Sequence, residues 1–166
     1  MENALHLRLK ALDLQGRNSD GWLSGDSPEN FDFRDAVRRA QQCVVELESK
    51  LDMKLCLVDN YQDAFFWGEI REVRGDGESK DAPFLAIRFS SWGQLASHCA
   101  TTSIVEGEAA YEGKVLAEIR DVLNRHGFLW VDGDVLRGAV YDGFLPVEKM
   151  TQGATFTWWD RFFEYD

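Results

Sequence analysis

Several things are scarce in this chain, and each scarcity narrows what the protein can be. Three cysteines stand among 166 residues, Cys43, Cys56 and Cys99. An odd number with apolar or small neighbours points to reduced thiols in a cytoplasmic protein, not to a disulfide framework. Three histidines, His6, His98 and His126, are scattered, and no Cys-x-x-Cys, His-x-His or His-Glu-x-x-His spacing occurs. No metal and no cofactor are therefore expected. No Gly-x-Ser-x-Gly elbow, Walker loop or Gly-x-Gly-x-x-Gly fingerprint is present. There is no run of about 20 apolar residues, so no membrane span is expected. No apolar stretch follows Met1-Glu2, so no signal peptide is expected either.

Basic residues are also scarce. Lysine and arginine number 18 against 29 aspartates and glutamates, giving a formal charge of −11. The imbalance grows along the chain: residues 1–50 carry 7 basic and 9 acidic side chains, 51–100 carry 5 and 8, and 101–166 carry 6 and 12. A field of this sign works against nucleic acid and anionic membranes as partners and favours a basic protein. Solubility alone also accounts for an acidic surface.

What is abundant is apolar and aromatic. Hydrophobic residues make up 45% and aromatic ones 13%, enough at this length for one domain, 1–166, with a substantial core. The chain is organised around Lys54–Phe89, which reads as three strands at 54–58, 64–73 and 84–89. The second is apolar on both faces at its start and half polar at its end. Both connections are short and polar, so hairpins fit better than crossovers, and an antiparallel meander follows.

Around this core the other elements read as follows. Leu5, Leu7 and Leu9 alternate, which favours a strand over a short helix near the N-terminus. Residues 16–30 read as a loop. Phe33, Val37, Ala40, Val44, Leu47 and Leu51 mark a helix over 33–51 with Asp32 as its N-cap. A weak strand is expected near 97–103. A second helix spans 107–126, with Gly127 as the residue after its C-cap. Phe128–Val131, Asp132-Gly133 and 134–141 read as a C-terminal hairpin. The tail, Thr155–Asp166, reads as a docked helix opened by Thr157 and Asp160, or as a strand. The fold class is α+β, an antiparallel sheet packed by two main helices.

Chemistry-bearing groups form no catalytic pattern. Cys56 with His98 or His126 is the candidate nucleophile pair, and a buried thiol is the simpler reading. Asp59, Asp63 and Glu69 cluster in sequence around the second strand. Glu78-Ser79-Lys80 has a nuclease-like spacing but lies in a Gly-rich turn. These support an alternative reading as a small metal-dependent hydrolase. The leading expectation is a non-enzymatic binding protein, in its most concrete form an immunity-type inhibitor of a basic toxin or enzyme. Its partner-binding residues would be Asp132, Asp134, Tyr141 and Asp142, with Trp92 as an aromatic anchor. A further alternative is a homo-oligomer buried through the aromatic tail.

Overall fold

A computed structural model describes residues 3–16, 28, 31–59, 68–73, 75, 85–92, 94–98, 113–145 and 155–163. In chain order these form α1 (Asn3–Gln15), α2 (Phe33–Leu51), β1 (Leu55–Asp59), β2 (Gly68–Glu72), β3 (Ala86–Phe89) and β4 (Leu95–His98). Then come α3 (Gly113–Arg125), β5 (Leu129–Trp130), α4 (Gly133–Gly138) and α5 (Trp158–Phe163). The class is α+β, and the five strands lie in the order β1-β2-β3-β4-β5. The expected strand residues 64–67 and 84, helix residues 107–112, strand residues 99–103 and most of the 16–30 loop lie outside the described residues.

The meander is present and one strand longer than expected, because β4 continues it antiparallel to β3. Period-two alternation then sorts the side chains. Leu55, Leu57, Ile70, Ile87, Phe89, Ala96 and Trp130 pack on one face against α2 and α3. At the β4–β5 end of the opposite face, Leu95, Leu129 and Val131 meet α4, α5 and Leu9 of α1. Helices thus cover both sides of the sheet, each over its own apolar cluster.

The two long helices follow their sequence signals closely. The Asp32 carboxylate accepts from the Asp35 N–H at 2.9 Å, and α2 buries Ala36, Val37, Ala40, Cys43 and Leu47. At the end of α3, Gly127 takes φ +79. Its N–H donates to Asn124 O at 3.0 Å, and the Phe128 N–H donates to Leu123 O at 2.8 Å. This pair of bonds satisfies two end-of-helix carbonyls and turns the chain into β5.

Two expectations are corrected. First, the N-terminal segment is a helix. Leu5, Leu9 and Leu12 face inward while Leu7 and Leu14 are exposed. Two leucine sets on opposite sides of a helix produced the strand-like alternation. Second, there is no 128–141 hairpin. β5 pairs parallel to β4 across the α3 crossover. Asp132, read as a turn residue, is instead the N-cap of α4 and accepts from Asp134 N at 2.8 Å and Val135 N at 3.3 Å. Val140 meets Thr157, not β5, in an isolated antiparallel bridge. The aromatic tail, by contrast, takes the helical one of its two expected forms, and Trp158, Trp159, Phe162 and Phe163 are buried. Thr157 and Asp160 form the reciprocal cap, with Thr157 N donating to Asp160 Oδ2 at 2.6 Å and Asp160 N to Thr157 Oγ1 at 3.3 Å.

The choice between helix and hairpin at residue 132 rests on one carboxylate. Asp132→Ala should cost about 1 kcal/mol of unfolding free energy, whereas Asp132→Asn should cost less than half of that. Urea titrations of both variants check this; equal losses would mean that the cap does not hold α4.

Candidate interaction surface

The C-terminal part of the segment that carries the acidic candidates, residues 141–145, is fixed from beneath by a buried polar network. Asp13, on the inner side of α1, receives three hydrogen bonds: Tyr141 Oη at 2.5 Å, Phe144 N at 2.8 Å and Arg161 Nε at 2.6 Å. The Leu145 N–H donates to the Tyr141 hydroxyl oxygen at 2.9 Å. The Arg161 guanidinium also lies 4.7 Å from the Trp92 ring centre, and that ring packs against Phe162. Burial first, and then the bond to Asp13, push the Tyr141 hydroxyl well above its ordinary pKa, so it stays protonated and donates. Gly143 completes the fit. A β-carbon there would run into the Tyr141 ring and the Asp13 carboxylate.

This framework decides where each candidate residue sits. Tyr141 is 5% exposed and Trp92 is 1% exposed. The two aromatics expected as surface anchors are therefore core, because each fills the cluster between α1 and α5. Asp132 is occupied as a cap. Asp134 and Asp142 are more than half exposed at their side chains. Asp134 reaches Arg137 at 3.4 Å and His98 at 3.8 Å. Asp142 reaches Lys10 at 2.9 Å and His6 at 3.2 Å. Slight burial pushes the Asp142 carboxyl up, but the Lys10 hydrogen bond and the His6 and Lys10 charges outweigh it and hold the group below its usual range.

Sequence reasoning missed the apolar partners of these two acids. Val140 is 65% exposed and Phe144 43%, and Val135 is also open to solvent. Between Asp134 and Phe144 the chain therefore presents two carboxylates and three apolar side chains outward, while Leu136, Tyr141 and Leu145 point in. Val135 and Val140 read as strand residues when 134–141 is taken for the return strand of a hairpin, and Phe144 falls in the loop beyond it, so no periodicity marked the three as one exposed set.

The rival constellations come apart in space. Asp59 is level with Gly68 and Val58 with Glu69 across β1 and β2, so Asp59 and Glu69 lie on opposite faces of the sheet. Glu69 is fully buried and bound by Arg71 Nε at 2.7 Å, with Arg88 of β3 at 3.6 Å. Asp63, Glu78, Lys80 and Cys99 lie outside the described residues. Cys56 is level with Arg71, on the Glu69 side, while His98 is level with Ile87 on the other side, so those two form no pair. His126 is taken by Glu46 at 2.9 Å. Burial raises the Cys43 thiol to about 12, far from a reactive thiolate. Among the described residues no three His, Cys, Asp or Glu side chains converge as a metal site.

Comparison of the chain with protein-family models, with curated proteins and with solved structures finds no match.

Breaking the buried pair from one side should be costly, since it strands a charge away from water. Arg161→Met should lose about 3–5 kcal/mol, and the double variant Asp13→Leu/Arg161→Met should recover much of it. A denaturant double-mutant cycle measures the coupling, and additive losses would contradict it. Gly143→Ala should also destabilise, by about 1–3 kcal/mol, through overpacking.

Acid should weaken the fold through the surface carboxylates. The Lys50 hydrogen bond lowers Glu118 and the Arg38 hydrogen bond lowers Asp35, alongside Asp142. A carboxyl held low in the fold contributes stability above its unfolded pKa and loses it as pH falls through the folded value. The urea midpoint should therefore fall steadily as pH drops below about 4. Lys10→Met and Lys50→Met should each make that fall shallower, and an unchanged slope in both would remove these pairs from the account.

Proposed function

We propose that this chain is a non-enzymatic binding protein for a basic protein surface, of the kind that masks a cationic active site. The observation that carries the reading is the set of exposed side chains along residues 134–144. Exposed Asp134 and Asp142 alternate there with exposed Val135, Val140 and Phe144. That mixture suits a partner recognised in two stages. Carboxylates in a field of −11 steer a basic surface toward the face. Apolar side chains then hold it once water is excluded.

Rigidity supports the same reading. The segment is tied through Tyr141, Phe144 N and Leu145 N to the buried network around Asp13. A segment already ordered before binding pays little further conformational entropy on association. The local cations Arg137 and Lys10 temper the two carboxylates, so the electrostatic share is a matter of association rate more than of final affinity. Reduced Cys43 and Cys56 suit a cytoplasmic setting. No helix among the described residues is long and apolar enough to cross a membrane.

A tagged pull-down from the source lysate at low and at moderate salt supplies the partner for the test. The expected catch is one basic protein, retained in stoichiometric amount and weakened by salt. Asp134→Lys should then slow association and flatten its salt dependence. Phe144→Ala should raise the dissociation rate about tenfold, equivalent to roughly 1.4 kcal/mol. Kinetics unchanged in both variants would take the 134–144 face out of the account.

A further inference from the structure

α1 carries two apolar stripes, and the fold uses only one. Leu5, Leu9 and Leu12 turn inward, toward the cluster that includes Trp92 and Trp158. On the opposite side Ala4, Leu7, Ala11 and Leu14 are exposed, Leu7 by 61% and Leu14 by 42%. Their spacing of three, four and three residues keeps them within a narrow band of the helix, as in a coiled-coil seam. Solvent-facing helix positions are ordinarily polar, so a second seam needs a partner.

We propose that this stripe pairs with the same stripe of a second copy of the chain, antiparallel about a two-fold axis level with residue 9. In that register Leu7 of one copy faces Ala11 of the other, and Ala4 faces Leu14. Every large side chain meets a small one, which lets the two helices approach closely without overpacking. The flanking charges fit the same axis. Asp142 sits between His6 and Lys10, hence level with residue 8 of α1. The two-fold axis brings that level beside residue 10 of the other copy. Each Asp142 carboxylate then gains the second copy's Lys10 in addition to its own. On the other flank Arg8 approaches its own symmetry mate, a screened and minor repulsion at physiological salt.

Size sets the strength. A helix of 13 residues is about 20 Å long, and a strip of that length falls well short of the roughly 800 Å² per partner of a stable interface. The pairing is therefore a reversible dimer with a dissociation constant in the micromolar range or weaker. It stands apart from the basic-partner reading through Leu7 and Leu14, which carry the seam and lie outside residues 134–144, while Asp142 is common to both surfaces.

Sedimentation velocity of the full chain over a concentration series tests it. The weight-average mass should climb from the 19.0 kDa monomer toward twice that value as concentration rises. Leu7→Glu and Leu14→Glu should each weaken association at least tenfold with no change in melting temperature, since both side chains are exposed in the single copy. Asp142→Lys should weaken it as well, and adding Lys10→Asp to that variant should restore it. A monomer at every concentration would overturn the proposal. So would a dimer that persists in both leucine variants, or a monomeric chain that instead captures a different protein through Leu7 and Leu14.

Discussion

The Asp13–Arg161 pair joins the two ends of the described chain in the interior, and much of the second core cluster is arranged about it. Taking both charges out of water is costly, and their attraction alone would not offset that cost. The geometry does so by adding acceptor bonds: Asp13 binds the Arg161 Nε, the Tyr141 hydroxyl and the Phe144 amide. Arg161 is further faced by the Trp92 and Phe162 rings. An apolar replacement could be as stable but would not select one register. The pair demands that α1, the 141–145 segment and α5 meet in a single arrangement, and this is how a short aromatic helix and a leucine-rich one are held to the same edge of the sheet.

The constraint passes outward to the surface. With Tyr141 and Leu145 drawn inward, the intervening and neighbouring residues must face solvent, which leaves Asp142 and Phe144 exposed beside Val140. Surface chemistry here follows from buried chemistry. The same holds on α1, where Asp13 and Leu9 fix the helix rotation and so leave Leu7 and Leu14 on the outside. Two faces with distinct character result: a mixed acidic and apolar one on 134–144, and a narrow apolar seam on α1 flanked by Arg8 and Lys10. The first carries the proposed recognition of a basic partner and the second the proposed self-pairing.

Local signals made α2 and α3 readable, because there the apolar period, the Asp32 cap and the Gly127 turn agree. The Thr157–Asp160 cap was readable for the same reason. The meander followed from residue type and from connections too short for a crossover. The candidate surface was legible only in its acids, Asp134 and Asp142. Its other half was hidden by long-range contacts. The bonds that bury Tyr141 and set Phe144 span 128 and 131 residues, and the Arg161 bond spans 148. No periodicity encodes such separations. α1 misled for a subtler reason: leucines on two sides of a helix imitate the alternation of a strand, and only the tertiary position of Leu9 and Asp13 separates the two.

Native-state hydrogen exchange at the Phe144 and Leu145 amides reads out whether the buried pair holds this segment. These two N–H groups donate to Asp13 and to the Tyr141 oxygen, so they should be protected nearly as well as the core amides of β2 and β3. Exchange at the rate of an unstructured peptide would mean that the buried pair does not hold the 141–145 segment, and the surface built on it would lose its foundation.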